Sequence, residues 1–213
     1  MLLVVSVIVA SRWLTNAASD PAGPALLAVA YGCAALLSIP LVLETSGWRI
    51  GRPIVTAAMI TALYGGVLIA DPMTRSLTPA LPALALTVLL ISLNMVVLTR
   101  VVPRSLLCAL FAALVMLPVW AGPLVELAGN PAWARNLVLG ASPLTVLSLP
   151  LDLDYLRTTW FYAHSPLGSM RYDYPSWFTL CAVYALVPAA VLARFVMTTV
   201  DPTPFRHPEE AHT

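Results

Sequence analysis

Lysine is absent from this 213-residue sequence, and its eleven basic residues are all arginines. Without lysine the chain can form no Schiff base and has no Gly-Lys-Ser/Thr phosphate-binding loop, so any ATP hydrolysis must come from another chain. Histidine and cysteine are also scarce. Two of the three histidines lie in the last seven residues, and the three cysteines are far apart. We therefore expect no haem held by two membrane histidines, no Cys-x-x-Cys site, no bound metal and no cofactor.

Charge is scarce as well. Charged residues make up 10% of the chain and hydrophobic residues 60%, and the mean hydropathy is +0.87, whereas about 25% of a soluble protein is charged. Such a chain has too little polar surface for water, which predicts an all-α, polytopic membrane helix bundle in contact with the lipid bilayer. The net charge of +1 indicates no nucleic-acid partner.

Five apolar runs approach the ~20 residues that a helix needs to cross a bilayer. A sixth run, over 1–18, contains Arg12, which can extend to the headgroups. Because it does not begin with positive charge, we interpret it as a retained helix rather than a signal peptide. The five runs are 25–43, 53–70, 78–99, 105–121 and 178–199.

The run over 136–151 is different, because Gly140, Pro143 and Pro150 interrupt it. Proline removes a backbone donor and disrupts the preceding helical turn. We therefore predict a re-entrant or broken segment here and six spans in total; a crossing here would make seven. Residues 1–201 form one transmembrane domain and 202–213 a polar tail.

Arginine counts favour a cytoplasmic N-terminus, because the loops over 44–52 and 100–104 then place four arginines inside. In the six-span topology the aromatic-rich loop over 152–177 is extracytoplasmic. A cysteine introduced at Ser165 is then expected to react with an impermeant thiol reagent from outside. The basic set of arginine only, with abundant alanine, leucine and proline, is typical of a GC-rich bacterial genome. We expect a multi-pass protein of the bacterial inner membrane.

The five runs contain essentially no ionisable side chain in their central turns, and the polar side chains there are neutral. Membrane carriers driven by protons usually keep ionisable groups at depth, so this class is disfavoured. Asn94 could line a polar path, but a hydrogen bond to a neighbouring helix is the commoner use of a buried asparagine.

Aromatic and charged residues are concentrated over 152–178, for which we keep three interpretations. Tyrosine and tryptophan there could form a collar at headgroup depth. Alternatively, the segment could be a docking surface, because its residue types dominate binding hot spots. The third interpretation is catalysis or a metal site at Asp152, Asp154, His164 and Asp173, but their spacing fits no known ligand set, and we assign no catalytic residue. The candidate partner contacts are Arg157, Trp160, Arg171 and Tyr172.

The loop over 44–52 reads ETSGWRIGR and is the second candidate contact surface. Trp48 lies beside Arg49, and Arg52 follows at the start of the next span. This group could anchor to lipid headgroups or contact a soluble partner.

The order of these elements resembles the membrane subunit of type 2 ABC exporters, whose halves have six helices. In that family a cytoplasmic loop between the second and third helices couples to the ATPase, and here the loop over 44–52 occupies that position. The family's short outer re-entrant helices lie between the fifth and sixth helices, as 136–178 does here. Ser142-Pro143-Leu144, followed by DYLRTTWFYAHSPLGSMRYDYP, also looks like the last outer segment of such permeases. One feature differs, because family members generally begin with an amphipathic cytoplasmic helix and this sequence starts with MLLVVSVIV.

The resemblance implies an exporter subunit without catalytic activity of its own. Its partners would be a cytoplasmic ATPase subunit and a second permease subunit, either another copy or a different chain. The alternative is a non-catalytic subunit of a larger respiratory or photosynthetic membrane complex. A membrane enzyme acting on lipid through His164 and the nearby aspartates is a third hypothesis.

Overall fold

The computed structural model describes residues 22–42, 51–99, 102–158, 161–162, 165–169 and 174–200. Within these ranges all regular secondary structure is helical, which confirms the all-α class. The α-helices are α1 (Gly23–Val42), α2 (Gly51–Ala70), α3 (Leu81–Leu98), α4 (Arg104–Val115), α5 (Leu117–Trp120), α6 (Gly122–Leu127), α7 (Ala132–Ala141), α8 (Pro143–Ser148) and α9 (Trp177–Val200). Short 3₁₀ turns cover Arg75–Ala80, Leu149–Leu151, Tyr155–Arg157 and Pro166–Ser169.

Proline determines where several helices begin. Pro82, Pro118, Pro123 and Pro143 each occupy one of the first two positions of a helix. Proline is favoured there because the first N–H groups of a helix have no acceptor inside it. Pro118, Pro123 and Pro143 prevent one long helix from running through the region over 115–150, so this part of the chain folds as short pieces.

Two stretches within the described ranges, Gly23–Pro40 and Arg75–Leu98, are long and apolar enough to cross a membrane. The bent pair Arg104–Val115 and Leu117–Leu127 would be a third if it forms one span. The apolar stretches Ile54–Ala70 and Trp177–Val191 are shorter. The described helices thus supply two to three candidate spans, and the run over 1–18 lies outside the described residues.

The run predicted as a span over 105–121 contains a bend. Helix α4 ends at Val115, and the chain then bends by 59° into α5 and α6. Pro118 has no N–H to donate to the carbonyl of Leu114, four residues earlier, so the helix loses a hydrogen bond at this point. The indole of Trp120, beyond the bend, donates to the carbonyl of Ala113 in α4, at 2.8 Å.

Helices α3 and α9 lie side by side and run in the same direction. The indole Nε1 of Trp177 donates to Thr87 Oγ1 at 3.0 Å, and Asn94 Nδ2 donates to the carbonyl of Tyr184 at 2.6 Å. From the first contact to the second, each helix advances by seven residues, which requires parallel axes. The expected use of Asn94, a hydrogen bond to a neighbouring helix, is confirmed.

The turn between α2 and α3 is held by two side-chain hydrogen bonds. Thr74 is buried and its hydroxyl donates to the carbonyl of Leu68, at 2.8 Å, so the chain reverses tightly after α2. Asp71 accepts from the hydroxyl of Tyr31 on α1, at 3.1 Å. We call the end of the bundle where α2 finishes and α3 and α9 begin the 71–80 end.

Candidate functional site

The predicted interruption over 136–151 is confirmed. Helix α7 ends at Ala141, Ser142 is extended, with φ −82° and ψ 123°, and α8 begins at Pro143. After α8 the chain makes a 3₁₀ turn and then adopts a left-handed conformation at Asp152, with φ 51°. Aspartate tolerates this conformation better than most residues. We call residues 142–151 the inserted segment.

The inserted segment is buried inside the bundle. Helix α8 packs against α1, α3, α4 and α9 as well as against α7. Both apolar and hydroxyl side chains of α8 are enclosed, and Leu147 and Thr145 have no exposed surface. Irregular backbone is tolerated at membrane depth only where protein or a water-filled cavity surrounds it. Burial of the inserted segment by surrounding helices meets that condition.

Hydroxyl groups of the inserted segment have partners within the protein. Thr145 Oγ1 and the hydroxyl of Tyr155 are 2.8 Å apart and share a hydrogen bond. Ser148 donates to the carbonyl of Thr145, at 2.9 Å, and Ser142 donates to the carbonyl of Val115, at 3.5 Å. These bonds offset the cost of burying hydroxyl groups in an apolar interior.

The tip of the inserted segment reaches the middle of α1. A β-carbon built on Gly32 would lie 3.2 Å from Leu147 Cδ1 and 3.6 Å from Tyr64 Cε2. Gly32 is the tenth of the twenty residues of α1, so the tip lies about 15 Å along this helix at 1.5 Å per residue.

The inserted segment runs from the interior of the bundle to the 71–80 end. Just before it, the carbonyl of Ala141 accepts from the hydroxyl of Tyr184, at 3.3 Å, and the carbonyl of Tyr184 in turn accepts from Asn94, far along α3 from the 71–80 end. Just after α8, the turn Leu149–Leu151 contacts Arg75–Ala80. The inserted segment therefore begins inside the bundle and ends at the 71–80 end.

The aromatic segment over 152–178 contributes to the core as well as to the surface. Tyr155 is 1% exposed and Phe161 is buried, and their rings meet edge to face with centroids 5.0 Å apart. Tyr162, in contrast, is exposed. The collar and docking interpretations both predict exposed rings, so neither applies to Tyr155 or Phe161. Sequence reasoning did not single out Tyr155 as the partner of the inserted segment.

Of the four candidate partner contacts in this segment, Arg157 is described. Its Nε lies 3.1 Å from Asp154 Oδ2, and its side chain is 67% exposed. An exposed pair of this kind adds little stability, so Arg157 is available to a partner. Tyr174 also donates to Asp154 Oδ1, at 2.8 Å. Trp160, Arg171 and Tyr172 lie outside the described residues.

Ser165 is the wrong position for a labelling probe, because the side chain is buried. Its hydroxyl donates to the carbonyl of Pro118, at 2.6 Å, and so links the aromatic segment to α5. A β-carbon on Gly122 would lie only 2.8 Å from Ser165 Oγ. Glycine at 122 therefore permits this close approach.

The second candidate surface lies mostly outside the described ranges. Trp48 and Arg49 fall within 43–50, which the structure does not describe. Arg52 is the second residue of α2, so it stands where this helix begins, at the opposite end of α2 from the 71–80 turn. The predicted contacts of these three residues stay predictions.

The proposed catalytic or metal cluster has no geometric support in the described ranges. Asp154 is engaged by Arg157 and Tyr174, while His164 and Asp173 lie outside those ranges. A search of the described residues finds no group of three or more histidine, cysteine or acidic side chains able to hold a metal ion. The feature that the geometry does assemble is the inserted segment with Tyr155 beneath it.

Comparisons with models of protein families, with curated proteins and with solved structures find no match to this chain.

Proposed function

We propose that this chain is the membrane subunit of an ATP-driven exporter similar to type 2 ABC permeases. It would pair with a second permease subunit in a bacterial inner membrane, and a separate cytoplasmic chain would hydrolyse ATP. The observation that carries the proposal is the inserted segment, which packs against the middle of α1 and ends at the 71–80 end without crossing the bundle. That path is the one expected of an outer re-entrant element between the last two spans.

The parallel direction of α3 and α9 supports six spans rather than seven. Two helices that run the same way across a membrane are separated by one net crossing in the opposite direction. Helix α4 with its bent continuation supplies that crossing, and the inserted segment then adds none. A complete crossing by the inserted segment would turn α9 antiparallel to α3, contrary to the contacts of Trp177 and Asn94.

Transport would occur through relative movement of helix bundles. No aspartate, glutamate, arginine or histidine lies in α1, α3 or residues 53–70 of α2. Helices that meet through apolar side chains and neutral hydrogen bonds can shift against one another without separating buried ion pairs. Trp48, Arg49 and Arg52 would receive the motion of the ATPase, and residues 136–178 would cap the exit at the opposite end.

The orientation can be tested with a cysteine at Arg157, whose side chain is well exposed. We expect Arg157→Cys to react with an impermeant thiol reagent in intact cells, because six spans place it outside. Ser105→Cys is the matched probe: Ser105 is also exposed but lies at the start of α4, so it should react only after lysis. The native chain is the control for any reaction of its own three cysteines. Labelling of Arg157→Cys only after lysis contradicts the topology.

The coupling role can be tested by reversing charge in the loop over 44–52. We expect the double variant Arg49→Glu/Arg52→Glu to insert normally but to lose its ATPase, because a basic contact surface becomes acidic. The measurement is purification in mild detergent followed by mass spectrometry of the accompanying chains. Arg75→Glu/Arg157→Glu makes the same charge change at the other end and should retain the ATPase.

The same experiment separates the alternatives. Recovery of a P-loop ATPase with the native chain supports the exporter. Recovery of redox subunits instead contradicts it and supports a structural subunit of a respiratory or photosynthetic complex. An ATPase retained by Arg49→Glu/Arg52→Glu shows that coupling does not use this loop.

A further inference from the structure

Five large apolar side chains are exposed on α5, α6 and α7, beyond the bend that ends α4. Leu127 is 86% exposed and Trp133 is 70% exposed. Large apolar side chains exposed together on neighbouring helices mark a surface that contacts lipid or protein. We call this group the cap surface; its members are Trp120, Leu124, Leu127, Trp133 and Leu137.

The cap surface is segregated from the charged residues of the same helices. Leu124 and Leu127 are three residues apart on α6, so they lie on one side of it. Glu126 follows Leu124 by two positions, which places it on a different side of the helix. On α7 the exposed Trp133 and Leu137 are four residues apart. Arg135 lies two positions from each of them and therefore on the other side.

The cap surface continues from the outward face of α4. Leu106, Leu110 and Leu114 are all exposed and recur every four residues, so they form one apolar stripe. Trp120 folds back onto this helix, because its indole N–H donates to the carbonyl of Ala113. Since that N–H already has an acceptor, the ring can lie among acyl chains without losing a hydrogen bond. Trp120 thus links the cap surface to α4, and the 59° bend carries α5 and α6 obliquely away from α4.

We propose that the cap surface lies in the membrane interface of the leaflet at the 71–80 end and is covered by lipid. Two tryptophans among leucines are the composition favoured at the boundary between headgroups and acyl chains. The bend at Met116 then serves to lay α5–α6 along that boundary, with the carboxylate of Glu126 directed towards water. The inference uses the membrane location in the proposed function but not the transport activity.

The test is the depth of spin labels in phosphatidylcholine nanodiscs. Leu127→Cys and Leu137→Cys are labelled in a background where the three native cysteines are alanine, and collisions with oxygen and with a water-soluble nickel chelate are compared. We expect both labels to collide several-fold more with oxygen than a label at Glu126→Cys does. A label at Leu110→Cys, on the stripe of α4, should give the deepest value.

Each outcome has a distinct meaning. If Leu110→Cys is lipid-exposed while Leu127→Cys is as open to the nickel chelate as Glu126→Cys, the cap surface faces water and this inference fails alone. If Leu110→Cys is also open to the chelate, the membrane location fails as well. Labels at 127 and 137 that are shielded from both reagents indicate a protein partner and overturn the inference.

A second measurement avoids the cysteine background. Lipids brominated at defined depths quench tryptophans that lie nearby, and we expect them to quench the native chain in nanodiscs. Trp120→Phe and Trp133→Phe should each remove a quenched component of the emission. Loss of only unquenched emission in both variants contradicts the proposal.

Discussion

Replacement of Tyr155 by alanine is expected to lower the free energy of unfolding by about 3–5 kcal/mol, the range for deleting a large buried aromatic side chain. Tyr155 is among the largest fully buried side chains of the described residues. Its ring packs on Phe161, and its hydroxyl pairs with Thr145 in the inserted segment. The measurement is the fraction of protein that stays monodisperse in detergent after heating. Tyr155→Ala should lose this fraction at a clearly lower temperature than the native chain.

Two comparisons separate the ring from the hydroxyl. Tyr155→Phe keeps the ring and leaves Thr145 without its partner, which should cost about 1–3 kcal/mol. Adding Thr145→Val to that variant removes the unpaired hydroxyl and should recover part of the loss. Tyr162→Ala, at an exposed aromatic in the same segment, should change little. Equal melting of Tyr155→Ala and Tyr162→Ala contradicts the packing role.

Replacement of Gly32 by leucine is expected to displace the inserted segment and to destabilise the protein by about 1–3 kcal/mol, the usual cost of overpacking. Even a single β-carbon at Gly32 would contact Leu147 at 3.2 Å, and a leucine side chain needs space that Leu147 and Tyr64 already fill. The same heating assay measures the loss of stability. Cysteine labelling at the inserted segment would report its displacement, because Thr145 and Ser148 have no exposed surface in the native chain.

The neighbouring helix provides a matched control. A β-carbon at Gly66 of α2 would meet nothing within 4 Å, so Gly66→Leu should leave stability nearly unchanged. The double variant Gly32→Leu/Leu147→Ala exchanges the large and small partners and should recover much of the stability lost by Gly32→Leu. If the double variant does not recover stability and Gly66→Leu is destabilised as much as Gly32→Leu, the loss comes from replacing a helix glycine by leucine and not from contact with the inserted segment.

Sequence reasoning could predict features that depend on local chemistry. The abundance of apolar residues indicated a helical bundle, and the prolines over 136–151 predicted its interruption. The role of Asn94 also followed from chemistry alone, because a buried amide needs acceptors wherever it lies. In each case one physical requirement, such as a hydrogen-bond acceptor for a buried amide, allowed few structures.

Features that depend on the partner of a residue were not predictable. Tyr155 and Tyr162 are aromatics of one segment, and composition alone does not separate a core ring from a surface ring. The bend after α4 was missed because Pro118 lies near the end of an apolar run that has nearly the length of a span. Ser165 was expected to react because six spans place its loop outside, whereas its hydroxyl is buried and donates to the carbonyl of Pro118, 47 residues away.

The pairing of α3 with α9 has a consequence for the order of assembly. The amide of Asn94 donates to the carbonyl of Leu90 within its own helix, and this bond can form as soon as α3 has been synthesised. Its bond to the carbonyl of Tyr184 spans 90 residues and must wait for the C-terminal helix. Until α9 docks, the second hydrogen of that amide has no acceptor on α3. Docking of α9 is therefore the step that completes the hydrogen bonds of the Asn94 amide, and it comes late in biogenesis.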